Sequence, residues 1–396
     1  MSDHDLNAQH RRALIVTGEA SGDLHGANLI RAARDIDPDL EFFGVGGRRM
    51  EEQGCEILFR GEELAVVGLF EVAAHFPAIY RAFRKLEAVL KGEHRPDVLV
   101  LIDFPEFNLR LAAKAKAAGV PVLYYVSPQV WAWRRGRVKT IARRVDRLAA
   151  IFPFEPQLYE GLDIDVEYVG HPLVADLELK ENRQAYLERH GLDPERPVIG
   201  LFPGSRRSEL KYIFDTIADT ARTLHRQRPE IQFLLPVAHS LKHTNFYERI
   251  LGSGLKIKMV QDNIYDTANA CDAIASVSGT VTLQIALVGT PLAIIYKMNP
   301  LTFAIGKRLV KVPHIGLVNI VAGKGVVREF IQEAASAEAI SAELLHILEN
   351  QTYRERIKDD LGTVRRLLGE GGCSEKVARM ASEMSDGKIR GGAAAS

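Results

Sequence analysis

The sequence predicts an α/β protein of two doubly wound, parallel-sheet domains facing across a cleft. Short β-branched or leucine-rich runs alternate with longer amphipathic segments from end to end, as expected of strands joined by helices that cover both faces of a sheet. The pattern restarts after Asp193-Pro194-Glu195-Arg196-Pro197, a polar, proline-punctuated entry to a buried strand. A length of 396 residues is more than one ordinary domain uses.

In order, the first half places strands at Ala13–Thr17, Glu41–Val45, Asp97–Ile102, Val120–Tyr125, Arg147–Phe152 and Val166–Val169, each followed by helical periodicity or a loop. The second half places them at Val198–Phe202, Gln232–Leu235, Lys256–Val260, Ala273–Ser276 and Leu292–Tyr296. The expected boundaries are a first domain over 1–172, a linker region over 173–197 and a second domain over 198–365. A C-terminal helix over 366–384 is expected to pack back across the domains, and the Gly- and Ala-rich 385–396 to form a disordered tail.

Composition excludes several classes. Lys plus Arg and Asp plus Glu each number 51, so there is no basic excess for nucleic acid. With 46% apolar and 26% charged residues the chain builds full cores and is neither disordered nor fibrous. Three distant cysteines form no CxxC pair, which points to a reducing compartment and no disulfide framework. The polar start lacks a signal peptide's apolar stretch, and no apolar run reaches the ~18 residues of a membrane span.

Ligands of doubly wound sheets bind at the carboxyl ends of the strands, so the loops after each strand matter most. In Gly18-Glu19-Ala20-Ser21-Gly22-Asp23 the GxGxxG spacing is missing; either Ser21 or Asp23 caps the next helix, or the loop walls the cleft with Glu19 or Asp23 binding sugar hydroxyls. In Ile102-Asp103-Phe104-Pro105-Glu106-Phe107-Asn108 the acid at position 103 is either a helix cap or a tuned general base. The loop 127–135 holds both tryptophans, Trp131 and Trp133, as core or as a platform for a sugar or acyl chain. Pro203-Gly204-Ser205-Arg206 and Ser278-Gly279-Thr280 each lead from a strand into a helix. Together they describe a diphosphate pinned between two helix amino ends, with Arg206 adding fixed charge. No cluster has metal-ligand spacing, and no cofactor is implied.

GEASGDLHGANLI, IDFPEFN, YYVSPQVWAWR, FPFE at 152–155, VGHPL, FPGSR, SGT at 278–280 and LVNIVAGKGVVREFIQE resemble, in order over nearly the whole chain, the lipid-A-disaccharide synthase family. The resemblance implies a GT-B fold and an inverting glycosyltransferase of the bacterial cytoplasm. Its donor is UDP-2,3-diacylglucosamine and its acceptor 2,3-diacylglucosamine 1-phosphate (lipid X). It further implies Asp103 as base, Glu19 of the GEASGD loop as a second catalytic residue, and UDP-sugar binding by Gly204, Ser205, Arg206, Ser278, Gly279, Thr280, Gln284 and Asn319. Position 284 is Gln where the family pattern has Glu, and 106 is Glu where it often has Asp. The acceptor and lipid side falls to the first domain, with Ser21, Asp23, Trp131, Trp133, Val67, Leu69 and Phe76. The apolar stripe over 66–91, flanked by Arg81, Arg84, Lys85 and Lys91, is either core or a patch dipping peripherally into the inner face of the inner membrane. A homodimer is left open.

Three rivals share parts of this pattern: a UDP-sugar 2-epimerase, a transferase to another lipid-linked acceptor such as a polyprenyl-linked muropeptide, and a UDP-sugar sensor without turnover. An epimerase has no use for an apolar entrance, and YVSPQVWAWR argues against the second. A carboxylate at position 103 argues weakly against the third.

Overall fold

In the computed structural model the described residues are 11–64, 69–133, 136–238, 255–309 and 312–387. The chain divides into two units, Met1–Pro172 with Glu370–Ser396, and Leu173–Gly369.

The first unit holds a sheet of β1 (Arg11–Thr17), β2 (Leu40–Gly46), β3 (Glu56–Arg60), β4 (Val98–Ile102), β5 (Val122–Tyr125), β6 (Arg147–Ala150) and β7 (Asp165–Tyr168). Their order is β3-β2-β1-β4-β5-β6-β7, with every pairing parallel. All five residues of β4 are buried, and Leu14 and Val16 of β1 join its Leu99 and Leu101 in one apolar cluster. Helices on both faces require such runs to be apolar throughout.

The second unit repeats the plan with β8 (Val198–Phe202), β9 (Gln232–Pro236), β10 (Ile257–Val260), β11 (Ala273–Val277), β12 (Leu292–Tyr296) and β13 (Glu329–Ile331), in the order β10-β9-β8-β11-β12-β13. These pairings are also parallel. In each sheet the chain runs outward from its first strand on one side and then crosses to the other. The reversal falls between β1 and β4 in one sheet and between β8 and β11 in the other. Register brings Thr17 level with Ile102 and Phe202 level with Ser276. The loops after these four strands therefore meet in pairs at the two switch points, where such sheets bind ligands.

Three expectations about organisation change. The segment 173–197 is folded into the second unit: the helix Arg183–Arg189 is capped by Asn182, the amides of Lys180 and Glu181 donate to Asp266, and Tyr186 shares a 2.8 Å hydrogen bond with Thr267. The segment 366–384 is two pieces, because Gly369, Gly371 and Gly372 take positive φ and end the helix Gln351–Leu367 before a new one, Cys373–Ser385, begins. That last helix packs on Ala20–Ile36 and on β1, β4 and β5 of the first unit. From position 79 the apolar stripe of the helix Leu69–Lys91 is core: Ala82, Leu86 and Leu90 are fully buried, and Ile79 and Phe83 pack against them. Tyr80, 56% exposed, stands on the outer face with Arg81, Arg84 and Lys85. Val67 and the side chains of Leu69, Phe76 and Trp133 lie outside the described residues.

Candidate active site

At the first switch point β1 runs into Gly18-Glu19 and then the helix Ala20–Ile36. The helix enters close to the strand because Gly22 has no side chain; a Cβ there would stand 1.8 Å from Thr17 Oγ1. Gly18 is equally constrained, since a Cβ would meet the Phe104 ring at 2.6 Å. Glu19 and Ser21 are exposed at this corner. A cavity of about 360 Å³ opens beside Glu19, lined by Thr17, Gly18, Glu19, Asp23, Gly47 and Arg49, among others.

Asp103 follows β4 directly. It and Phe104 both take left-handed backbone conformations, φ 48° and 49°, and Val126 after the neighbouring β5 does the same at 56°. Each such residue costs about 1–3 kcal/mol unless its surroundings hold it, and such strain clusters at functional sites. The fully buried Asn108 supplies the hold: its Nδ2 donates to the carbonyls of Asp103 (2.7 Å), Ile102 (3.2 Å) and Val16 (3.3 Å). The Tyr124 hydroxyl donates to the same Asp103 carbonyl at 2.8 Å. Phe104 stacks on Phe107, ring centroids 5.1 Å apart, which seats the turn on Pro105–Ala117. The Asp103 side chain is half-buried, and burial, reinforced by the Glu19 carboxylate, pushes its carboxyl up to about 6.

Two residues expected on the acceptor side have other work. The Asp23 carboxylate accepts from the amides of Gly47 (2.7 Å), Arg49 (3.1 Å) and Met50 (3.2 Å), so it fixes the turn after β2. Trp131 is 5% exposed and packs edge-on against Phe152 and Phe154, with centroids 6.0 and 5.4 Å away. It is the foundation of its loop rather than a platform. The FPFE segment is locked from below by Glu155, which accepts from the amides of Ile151 and Phe152 at 3.0 Å each.

At the second switch point β8 ends in Pro203-Gly204-Ser205-Arg206 and the helix Arg207–Gln227. Gly204 takes φ 96°, and Ser205 and Arg206 are exposed. Beside it β11 ends in Ser278-Gly279, ahead of the helix Thr280–Val288. Nothing lies within 4 Å of a Cβ built on Gly279, which leaves that corner open to a ligand. Ser278 Oγ donates to the Ile315 carbonyl at 3.1 Å, and Thr282 Oγ1 donates to the Gly279 carbonyl at 2.7 Å, so both side chains shape the turn. The first amides of a helix have no intrahelical partner, so two neighbouring helix starts, with Arg206 at one of them, suit a diphosphate. Gln284, one turn on, is half-buried and hydrogen-bonds the Tyr265 side chain.

Asn319 is 1% exposed and fully engaged. Its Oδ1 accepts from the amides of Val326 and Val327, and its Nδ2 donates to the Val327 carbonyl and to Glu329. Glu329 in turn accepts from the amides of Ile315 and Gly316 at 3.0 and 2.9 Å. Asn319 therefore organises the loops beside Ser278 and has no atom left over for a ligand. Among the described residues, no group of three or more His, Cys, Asp or Glu side chains could hold a metal ion.

Comparison with known proteins fixes which two-sheet protein this is. The family model described as lipid-A-disaccharide synthetase matches residues 13–382. The chain belongs to the lipid-A-disaccharide synthetase family. It is 64% identical to the lipid-A-disaccharide synthase of Syntrophotalea carbinolica over 376 residues, covering 95% of this chain and 96% of that one. It is 51% identical to that of Geobacter metallireducens, covering 95% and 98%. A structure of UDP-GlcNAc 2-epimerase from Neisseria meningitidis bound to UDP-GlcNAc superposes with a TM-score of 0.64 over 94% of this chain and 100% of that one, at 11% identity. That likeness is one of fold, the GT-B arrangement of two parallel-sheet domains. Family membership makes the chain a glycosyltransferase of lipid A biosynthesis and sets the epimerase reading aside.

Seen as a lipid-A-disaccharide synthetase family member, the chain also uses residues that sequence reasoning passed over. Asn108 stood at the end of a quoted motif without a role, and Tyr124 read as one more strand residue. The signal was available in part: an asparagine between Phe107 and Leu109 in the first turn of a helix is rarely buried without a purpose.

Proposed function

We propose that the chain joins UDP-2,3-diacylglucosamine to lipid X by a single displacement at the donor anomeric carbon, with Asp103 as general base. The acceptor 6-hydroxyl attacks C1 from the face opposite UDP. Its proton passes to the Asp103 carboxylate as the new C–O bond forms, while the bond to the UDP oxygen breaks. The products are the β-1,6-linked disaccharide 1-phosphate and UDP. The observation that carries this reading is the place of Asp103: it ends a central strand at the switch point, half-buried beside Glu19, with its carboxyl raised to about 6. Such a group is ionised near neutrality yet more basic than an exposed carboxylate.

UDP departs with developing negative charge. Arg206 and the amides at the starts of Arg207–Gln227 and Thr280–Val288 stabilise that charge without a metal. Gln284 meets the ribose hydroxyls. The cavity beside Glu19 takes the acceptor sugar.

The enzyme works in the cytoplasm, attached peripherally to the inner face of the inner membrane. No helix among the described residues is long and apolar enough to cross a membrane. The support for surface attachment is the outer face of Leu69–Lys91, where Tyr80 stands among Arg81, Arg84 and Lys85. The deciding experiment supplies purified protein with both lipid substrates in EDTA and follows disaccharide and UDP. Both should form at equal rates. An isomerised monosaccharide, UDP-sugar binding without turnover, or activity that returns only with Mg²⁺ would each overturn part of this account.

A further inference from the structure

Asp103 and Phe104 are consecutive non-glycine residues in the left-handed region, a conformation that such residues leave unless neighbours fix it. The groups that fix it lie behind the turn. Asn108 Nδ2 faces three carbonyls, of Val16, Ile102 and Asp103, and that convergence settles which end of the amide is the nitrogen. Two of these carbonyls belong to β1 and β4, the strands either side of the switch point, and the third belongs to Asp103 itself. The Tyr124 hydroxyl, from β5, closes on that same carbonyl. Asn108 is fully buried, so it is out of reach of either substrate.

We propose that Asn108, with Tyr124, is a positioning residue for transfer: by anchoring the carbonyls of Ile102 and Asp103 it sets the peptide planes on both sides of Asp103 and so aims the carboxylate. The inference rests on the reading of Asp103 as base. A left-handed φ turns the Asp103 side chain off the direction it would take if β4 continued. Releasing the carbonyl lets the backbone relax toward the ordinary region and swings the carboxylate away. A misplacement of about 1 Å costs on the order of 10²-fold in rate.

The test is a double-mutant cycle of Asn108→Ala and Asp103→Asn, with kcat, both KM values and thermal melting read on the full chain. Asn108→Ala alone should lower kcat by about 10- to 100-fold and leave both KM values within about twofold. In the Asp103→Asn background it should cause no further loss, because the group it aims is gone. Losses that multiply, or a raised KM with kcat preserved, would overturn the inference. Near-wild-type kcat in Asp103→Asn alone would instead remove Asp103 as base, a different failure read from a different corner of the cycle. Should Asn108→Ala fail to fold, Tyr124→Phe removes a single hydroxyl and decides the matter. A several-fold fall in kcat that vanishes beside Asp103→Asn supports the positioning role, and an unchanged kcat refutes it.

Discussion

A carboxylate acts as a base only where it is ionised, so raising the Asp103 carboxyl to about 6 sets both a rate profile and a stability profile. The kcat/KM should fall about tenfold per pH unit below about 6 and level off above it; a profile flat down to pH 4.5 would exclude Asp103. Asp103→Asn should cost about 10²–10⁴-fold in kcat while UDP affinity, measured by calorimetry, stays the same. The same variant should melt higher than the parent at pH 8. The folded protein holds this proton to about 6 and the unfolded chain only to about 3.9. Between those values the folded state binds more protons, so stability falls as pH rises and the full penalty is present above about 6. The variant's advantage should vanish near pH 4. Gln284 has a different test. A glutamate there offers two charged acceptors to a ribose diol, so Gln284→Glu should tighten UDP up to about tenfold with little change in kcat. Unchanged affinity would mean that its contact with Tyr265 is its whole role. At this scale the sequence shows residue types but not their surroundings. Asp103 and the glycine loops are visible because their chemistry is rare at strand ends. The contacts of Asp23, Trp131 and Asn319 are not visible there, because they are made with the turn after β2, the FPFE segment and β13, which only folding brings beside them.

Elements were legible where the hydrophobic pattern was strong. The central strands β1, β4, β8 and β11 are apolar on both faces and stand out in the sequence. Two of the four edge strands, β3 and β13, do not, unlike β7 and β10: β3 is at most half-buried at every position, and β13 has three residues. An edge position buries one flank only, so its pattern is weak. The helix Leu69–Lys91 was readable as amphipathic, yet amphipathicity alone could not say which side faced the protein. Phe83 answers that by packing edge-on to Phe107, ring centroids 5.5 Å apart. The membrane test therefore moves to the outer face. Tyr80→Ser with Arg81→Gln and Lys85→Gln should weaken binding to anionic vesicles by about 2 kcal/mol or roughly 30-fold, at ~1 kcal/mol for each lost cation. Melting should be nearly unchanged, since these side chains are exposed. Equal binding by the triple variant would place the lipid contact elsewhere.

At the scale of the molecule, the two sheets share one strand order with one switch point each, and the alternating pattern already implied that both are doubly wound. The sequence predicts a C-terminal helix that packs back; what it does not give is that this helix completes the first unit, because a short amphipathic helix carries no record of which sheet it will cover. The helix Cys373–Ser385 buries Val377, Met380 and Met384 on the first unit. At ~1.5–3 kcal/mol for each large apolar side chain, these three contribute about 5–9 kcal/mol, comparable with the whole stability of an ordinary domain at about 5–15 kcal/mol. Polar ties add direction: Ser382 donates to Asp37 at 2.6 Å, Arg147 reaches Glu383 at 2.7 Å, and the Tyr125 hydroxyl meets Cys373 Sγ at 3.0 Å. Tyr125 is the last residue of β5, one position before the strained Val126 and beside Ile102, the end of the strand that leads into Asp103. Ending the chain after Gly371 should therefore abolish transfer although it removes no residue placed in the site. Calorimetry should show the first unit's transition lost or shifted far down, with the second unit's transition and UDP binding retained. A truncated protein that melts and turns over like the parent would show that the helix is dispensable packing.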